Sequence, residues 1–106
     1  MKLWIDDVRP APEGYVWCKS VNEAKSLIQY AESTHHSKYA PCHGCHLIDT
    51  DHDAGDYAKD GGDYIRLLDW LEETGRNYPI RIHSQNPVGV ANIRRIIQRN
   101  NWKEVF

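Results

Sequence analysis

Short apolar runs and amphipathic helical stretches alternate along this chain, and that alternation limits the possible folds more than any other feature. Runs rich in β-branched and aromatic residues predict five short strands. They lie at residues 2–5, 15–18, 46–48, 78–84 and 102–106. Strands and helices in alternation favour a mostly parallel sheet with helices on both faces, an open, doubly wound α/β fold.

Apolar residues at spacings of three and four predict three helices between these strands. A capping box at Ser20 and Glu23 marks the start of the first helix. Asn86 as the cap and Pro87 at the first helical position mark the start of the third. The predicted helices cover about residues 20–32, 64–71 and 87–97.

The connection between the first two strands does not suit a standard parallel pair. Residues 6–14 hold two prolines and a glycine, and they are too few for the helix that usually joins parallel strands. An extended return across the sheet would keep the pair parallel. An antiparallel first pair is the alternative.

Length and composition limit the number of domains and argue against some classes of partner. Because 106 residues build one core rather than two, we expect a single domain over residues 1–106. The net charge of −2 gives no overall electrostatic argument for binding nucleic acid or a membrane surface. Charged residues follow too soon after the start of the sequence for a signal peptide. No apolar run approaches the roughly 20 residues of a membrane span. We therefore expect a cytoplasmic protein without a membrane partner.

Acidic, imidazole and hydroxyl side chains follow three of the predicted strands. Asp6 and Asp7 follow the first strand, residues 49–53 follow the third, and His83 and Ser84 end the fourth. The carboxyl ends of parallel strands share one edge of a sheet, and ligands bind there. We therefore expect these groups to meet, although an isolated acid pair would be an ordinary solvated strand end.

Asp49 is expected to differ from the other acids in this segment. Alternation places it on the face shared with Asp51 and Asp53, but it lies deeper in the strand. We predict that it is a structural hydrogen-bond acceptor.

The sequence resembles the receiver domain of response regulators at these strand ends. The matching residues are Ile5-Asp6-Asp7, Asp51 and Ser84. In that superfamily the paired acids and the strand-three aspartate hold Mg²⁺, and the strand-three aspartate accepts a phosphoryl group. The resemblance implies a flavodoxin-like, receiver-like fold of about five strands that lacks the first crossover helix and the last helix. The lysine that receivers carry after strand five has no clear counterpart.

A closer resemblance is to the cyclic-phosphate-processing receiver domains, whose motifs are LDDxR, DHDLG and HxxNP. Residues 5–10 read IDDVRP, residues 51–55 read DHDAG and residues 83–87 read HSQNP. Ala54 replaces the usual leucine, which changes packing and leaves the charged positions intact. The resemblance implies action on cyclic phosphates, either at RNA ends or on cyclic nucleotides.

Breaking a phosphodiester needs charge neutralisation, a positioned nucleophile and a proton for the leaving oxygen. Carboxylate oxygens suit Mg²⁺ or Mn²⁺, and the candidate ligands are Asp6, Asp7, Asp51 and Asp53. Imidazole is the usual proton-transfer group at neutral pH, so His52 and His83 are catalytic candidates together with Asp51. If His52 and Asp53 bind the metal instead, a transition metal suits the mixed nitrogen and oxygen ligands.

Three further residues are candidates for binding the phosphate. Ser84 and Asn86 lie at the start of the third helix, whose free amides and dipole favour an anion. Arg9 follows the acid pair and can hold a phosphate with two hydrogen bonds. An ordinary surface cation is the alternative interpretation of Arg9, and a strand histidine bonded to the backbone is that of His83.

The tract between the first helix and the third strand holds possible zinc ligands. They are His35, His36, Cys42, His43, Cys45 and His46. Strong zinc signals carry a second, distant ligand pair, and this tract has none. We therefore favour a polar loop, and expect Mg²⁺ or Mn²⁺ as the cofactor in preference to zinc.

Together these features predict a metal-assisted phosphoesterase or phosphotransferase that acts on cyclic phosphates. Its partner would be a phosphate-containing small molecule or an RNA end. Two alternatives stay open: a receiver that is phosphorylated on Asp51, and a module that binds a nucleotide or a protein without catalysis.

Overall fold

The computed structural model describes residues 1–35 and 45–106, with side chains described for residues 1–33 and 45–106. The strands are β1 Lys2–Ile5, β2 Tyr15–Cys18, β3 Leu47–Thr50, β4 Ile80–Ile82 and β5 Glu104–Val105. The α-helices are α1 Val21–His35, α2 Ile65–Glu73 and α3 Pro87–Arg99, and a 3₁₀ helix spans Gly55–Asp60. All the strands are parallel, in the order β2-β1-β3-β4-β5. This is the flavodoxin-like order, so the predicted receiver-like fold class is confirmed.

The first two strands are parallel although no helix joins them. Lys2 pairs with Tyr15 and Ile5 with Cys18. The connecting residues 6–14 return as an extended loop across Trp4, whose indole nitrogen donates a hydrogen bond to the Arg9 carbonyl oxygen at 2.9 Å. The structure therefore decides against an antiparallel first pair.

The buried core lies on one face of the sheet. Its strand residues alternate along each strand and share one face, namely Leu3, Ile5, Cys18, Ile48 and Ile80. Residues from all three helices belong to the same core, including Ile28, Leu68 and Ile93. Here the structure differs from the expected helices on both faces. The crossovers to β3, β4 and β5 all step in the same direction across the sheet, and right-handed crossovers then put the three described α-helices on one side.

The opposite face carries a row of polar and aromatic side chains. Trp4 of β1 pairs with Asp49 of β3, and Asp49 pairs with Arg81 of β4. The ring of Tyr15 meets that of Trp4 edge-on, with the centroids 5.8 Å apart. The step from β1 to β2 runs in the opposite direction to the others, so a helix in that connection would have covered this face. The loop of residues 6–14 covers Trp4 instead.

Several boundaries differ from those predicted. The 3₁₀ helix lies between the third predicted strand and the second predicted helix, where no regular element is predicted, and β4 is shorter than the predicted strand over residues 78–84. Beyond β4, the His83 amide still donates to the Thr50 carbonyl oxygen at 3.0 Å, so the chain continues beside β3. None of the described helices is long and apolar enough to cross a membrane.

An ion pair joins α1 to the connection between α2 and β4. The Arg76 guanidinium donates to both carboxylate oxygens of Glu32, at 2.8 to 3.1 Å. The Tyr78 hydroxyl donates to the same carboxylate. The bonds from Arg76 lower the pKa of Glu32, burial opposes them, and the Tyr78 bond lowers that pKa further.

Replacing Glu32 by Gln should lower the free energy of unfolding by about 1 kcal/mol near neutral pH. The folded-state pKa of Glu32 lies below its unfolded value of about 4.3. The contribution of Glu32 to the free energy of unfolding is therefore complete above its unfolded-state pKa. That contribution is lost as the pH falls through the folded-state pKa. Urea unfolding at about pH 7 and about pH 3 measures the free energy of unfolding of both proteins. The difference between wild type and Glu32→Gln should be smaller at the lower pH.

The control variant is Glu73→Gln, because Glu73 is exposed at the end of α2. Its effect should stay below about half a kcal/mol at both pH values. A Glu32→Gln effect of the same size in acid as at neutral pH would contradict the assignment.

Candidate functional site

Three carboxylates meet at the carboxyl ends of β1 and β3. One oxygen each from Asp6, Asp7 and Asp51 lies within 4.8 Å of the others. Asp6 and Asp51 are buried, and Asp7 is half-buried. β1 lies between β2 and β3, where the strand order reverses, and this is the usual place for a site in open α/β sheets. The predicted meeting of these strand ends is thus observed, and we call the three residues the acid group.

Asp6 is held by hydrogen bonds to both of its carboxylate oxygens. Its Oδ1 accepts from the amides of Val8 at 2.9 Å and Arg9 at 2.8 Å. Its Oδ2 lies 3.0 Å from Nε2 of His83. Burial alone would raise the pKa of Asp6, but the bonds from Arg9, Val8 and His83 outweigh it and hold that pKa below its usual value. Asp6 is therefore a buried, ionised carboxylate.

The other two acids are placed by close backbone contacts. The Asp51 amide donates to the Ile5 carbonyl oxygen at 2.9 Å, and Oδ1 of Asp51 accepts from the His52 amide at 2.7 Å. A Cβ atom on Gly55 would lie only 2.4 Å from Oδ2 of Asp7, and Gly55 has a φ of +56°. Glycine at position 55 therefore makes room for the Asp7 carboxylate and also suits the left-handed backbone.

His83 lies between two carboxylates on the helix-free side of the sheet. Its Nδ1 is 2.7 Å from Oδ1 of Asp49, and its Nε2 faces Asp6. Trp4 stacks on the imidazole, with ring centroids 3.7 Å apart and an interplanar angle of 3°. Only 8% of the His83 side chain is exposed. Each ring nitrogen of His83 therefore has a carboxylate oxygen within hydrogen-bond distance.

Asp49 is fully buried and accepts hydrogen bonds, as the sequence predicts. It accepts from His83 and also from Nη1 of Arg81 at 3.1 Å. Tyr15 lies on the same face, and burial followed by the Asp49 charge raises the pKa of its hydroxyl. Asp49 is therefore enclosed by donors rather than exposed to a substrate.

His52 and Asp53 form a second group, beside the start of α3. Nδ1 of His52 is 2.9 Å from Oδ1 of Asp53. The side-chain amide nitrogen of Asn86, Nδ2, is 3.4 Å from Oδ2 of Asp53. The bond from His52 lowers the pKa of Asp53, burial opposes it, and the bond from Asn86 lowers that pKa further. Within the described residues, Nε2 of His52 makes no hydrogen bond. With Asp53 accepting at Nδ1, Nε2 is left as the free nitrogen of the ring.

Asp53 does not join the acid group, although the sequence marks it as a metal ligand. Its side chain is 60% exposed and bonds to His52 and Asn86 instead. β3 ends at Thr50, so the alternation that would align Asp53 with Asp51 does not continue beyond the strand.

The three predicted phosphate-binding residues lie near the acid group or at the start of α3. Nη1 of Arg9 donates to the His83 carbonyl oxygen at 3.1 Å, and its Nε is 3.9 Å from Oδ2 of Asp6. The Arg9 side chain is 42% exposed, which leaves its other donors accessible. The Ser84 hydroxyl accepts from the backbone amide of Asn86. Asn86 in turn caps α3 through its side-chain oxygen. Arg9 therefore keeps more unused donor capacity than either of the other two.

Three of the six possible zinc ligands, His36, Cys42 and His43, lie outside the described residues. Of the six, the structure gives side-chain contacts for Cys45 and His46. Burial raises the pKa of the Cys45 thiol to about 11, and the thiol donates weakly to the Leu47 carbonyl oxygen. Nδ1 of His46 lies 2.9 Å from the amino terminus of Met1. The side chains of Cys45 and His46 thus have other partners, and the zinc hypothesis stays a prediction.

Sequence reasoning missed the two glycines that shape this site. Gly55 faces Asp7, and Gly89 faces the ring of His52 in the first turn of α3. The glycine inside the otherwise regular pattern of α3 is the sequence signal that could have indicated this close contact. The stacking of Trp4 on His83 is likewise not predicted from the sequence.

Gly89→Ala tests the contact between α3 and His52. Alanine normally stabilises a helix interior by about 0.5–1 kcal/mol relative to glycine. Here the added Cβ would lie 2.4 Å from Cγ of His52, so we expect a loss of about 1–3 kcal/mol and a shifted His52 ring. Thermal unfolding and the histidine ring signals in NMR measure the two effects. Gln98→Ala, at an exposed position of α3, is the control, and a stabilised Gly89→Ala protein would refute the contact.

Comparison with known proteins identifies the family. No curated protein and no solved structure matches the chain. The model of the cyclic-phosphate processing receiver domain matches residues 1–99, which include every strand end that forms the site. The chain therefore belongs to the family of cyclic-phosphate processing receiver domains.

Proposed function

We propose that this protein is a metal-assisted phosphoesterase that opens cyclic phosphodiesters. The observation that carries the proposal is the acid group, in which adjoining strand ends bring three carboxylate oxygens within 4.8 Å of one another. The family description supports the class of substrate, because it refers to the processing of cyclic phosphates. The substrate would be a 2′,3′-cyclic phosphate at an RNA end or a cyclic nucleotide.

The residues present fit a hard divalent cation. The acid group offers only oxygen ligands, which suit Mg²⁺ or Mn²⁺ better than zinc. Asp6 and Asp51 are buried, so repulsion between the carboxylates is poorly screened and a cation would relieve it. When bound, such a cation would neutralise charge on the nonbridging oxygens of the phosphate. The proposed ligands are Asp6, Asp7 and Asp51, without Asp53.

His52 is the proposed proton-transfer residue. Its Nδ1 is held by Asp53, and its Nε2 has no hydrogen-bond partner among the described residues. In the proposed step, a water oxygen bonds to phosphorus while Nε2 takes one water proton. The bond from phosphorus to one ribose oxygen breaks, and that oxygen receives the proton from His52. One water is consumed and a phosphomonoester is formed.

Arg9 is the proposed phosphate clamp. Its guanidinium lies between the His83 carbonyl oxygen and Asp6, at the edge of the acid group, and is partly exposed. An arginine can donate two parallel hydrogen bonds to a phosphate. The roles of Ser84 and Asn86 would be secondary, because Ser84 already accepts from the Asn86 backbone amide and Asn86 caps α3.

A phosphorylated receiver is the second candidate. The acid group also suits transfer of a phosphoryl group to Asp51. Receivers pair the acyl phosphate with a lysine at the end of strand five, and the residue directly after β5 here is Phe106. We put this function second because that position carries no cation.

The direct test is turnover of a nucleoside 2′,3′-cyclic phosphate with Mg²⁺ or Mn²⁺. Phosphorus NMR should show a phosphomonoester, and Asp51→Asn should slow its formation at least about a hundredfold. Asp56→Asn is the matched control, because Asp56 is an exposed aspartate of the 3₁₀ helix. Equal rates for wild type and Asp51→Asn would end the proposal.

The alternatives give different results with the same protein. Tight binding of the cyclic nucleotide without turnover would identify a binding module. Acetyl phosphate treatment followed by intact mass measurement would detect a phosphoryl group on Asp51. A stable adduct that is lost in Asp51→Asn, with no cyclic-phosphate turnover, would replace the phosphoesterase with a receiver.

Gly55→Ala should weaken Mn²⁺ binding about tenfold, because the new Cβ would displace the Asp7 carboxylate. Gly14→Ala is the matched control. Gly14 also has a positive φ, +88°, but nothing lies within 4 Å of its added Cβ. Both variants carry the backbone strain, and only Gly55→Ala disturbs a proposed ligand. Calorimetric titration with Mn²⁺ separates them, and equal affinities would exclude Asp7 as a ligand.

A further inference from the structure

We propose that His83 is a positioning residue, which orients Asp6 for the cation and does not itself transfer a proton. This inference rests on the proposed cation site in the acid group. It concerns a residue that sequence reasoning assigned to proton transfer. Three observations carry it: the hydrogen bonds on Asp6, the immobilisation of His83, and the buried partner Asp49.

Among the described residues, the hydrogen bonds on Asp6 leave one acceptor position unfilled. A carboxylate has about four lone-pair positions. The amides of Val8 and Arg9 fill both positions on Oδ1, and Nε2 of His83 fills one on Oδ2. The remaining position on Oδ2 is available to a cation or to water bound to the cation. The His83 contact thus fixes the direction in which Asp6 can bind.

His83 is itself immobilised on every side. Trp4 stacks on its ring at 3.7 Å, and Asp49 accepts at Nδ1 at 2.7 Å. Its amide donates to the Thr50 carbonyl oxygen, and its own carbonyl oxygen accepts from Arg9. A ring held in this way is suited to setting the orientation of a neighbour.

The partner Asp49 explains how His83 can stand beside a cation site. Asp49 is fully buried and holds Nδ1 of His83, so the ring is fixed with Nε2 toward Asp6. Arg81 bonds to the other oxygen of Asp49 from the helix-free face. Ligand-bearing groups in metal sites commonly depend on such outer hydrogen bonds, whose loss weakens metal affinity about 10- to 100-fold.

Proton transfer would place different demands on His83. A substrate oxygen could reach Nε2 only by displacing Asp6, and Nδ1 only by displacing Asp49. Asp6 is at the same time a proposed cation ligand. His52, whose Nε2 is not hydrogen-bonded to any described residue, has no such conflict.

The experiment compares His83→Gln with His83→Asn. The glutamine amide nitrogen is separated from Cα by as many bonds as Nε2 of histidine, so it can still donate to Asp6. The asparagine amide nitrogen corresponds to Nδ1 and can reach only Asp49. We expect His83→Asn to bind Mn²⁺ about tenfold more weakly than wild type. His83→Gln should stay within about threefold of wild type in Mn²⁺ affinity and in kcat.

Two outcomes would overturn the proposal. If His83→Gln binds Mn²⁺ normally but loses turnover as completely as His83→Asn, then His83 transfers a proton. If His83→Asn binds Mn²⁺ as wild type does, then His83 does not orient a ligand. A wild-type protein that binds neither Mn²⁺ nor Mg²⁺ would instead refute the cation site and the proposed function.

A measurement on the wild-type protein covers the case in which a variant fails to fold. The histidine ring N–H signals in NMR report the bond from Nε2 of His83 to Asp6. Adding Mg²⁺ should shift this signal and leave it protected from exchange, because its acceptor binds the cation. A signal that does not change, while Mg²⁺ binding is seen elsewhere in the spectrum, would contradict the proposed coupling.

Discussion

The buried carboxylate of Asp6 is the constraint on which the rest of the site depends. A charge removed from water is tolerated only when donors surround it. The donors come from the loop after β1 and, through His83, from the end of β4. Satisfying one carboxylate therefore fixes the return of the chain toward β2 and the approach of β4. The same arrangement brings Asp7 and Asp51 to the same edge.

The absence of a helix between β1 and β2 shapes the second side of the sheet. The loop that replaces it covers Trp4 and supplies Arg9, and Trp4 in turn covers His83. Asp49 and Arg81 continue this row of side chains across β3 and β4. One face of the sheet thus supplies the apolar core, while the other carries the polar network that supports Asp6.

The sequence predicted the parts that follow from periodicity. Alternating strands and helices, with acids directly after the strands, led to the fold class and to the meeting of Asp6, Asp7 and Asp51. It did not predict that Asp53 turns away, because a strand pattern carries no information beyond the last paired residue, Thr50. It also did not predict that His83 bonds to Asp49, since that contact depends on register between two strands and on stacking with Trp4. The sequence also did not predict that the helices share one face of the sheet, because periodicity does not indicate the direction of each crossover.

Gly55 and Gly89 have a consequence for how relatives of this chain can be sorted. Each leaves out a side chain where a site residue needs the space, and neither adds a side chain to the hydrophobic core. A relative with a larger residue at either position could keep the sheet and helices intact while the Asp7 carboxylate or the His52 ring is displaced. These two positions would then separate relatives that keep the proposed site from relatives that retain only the architecture.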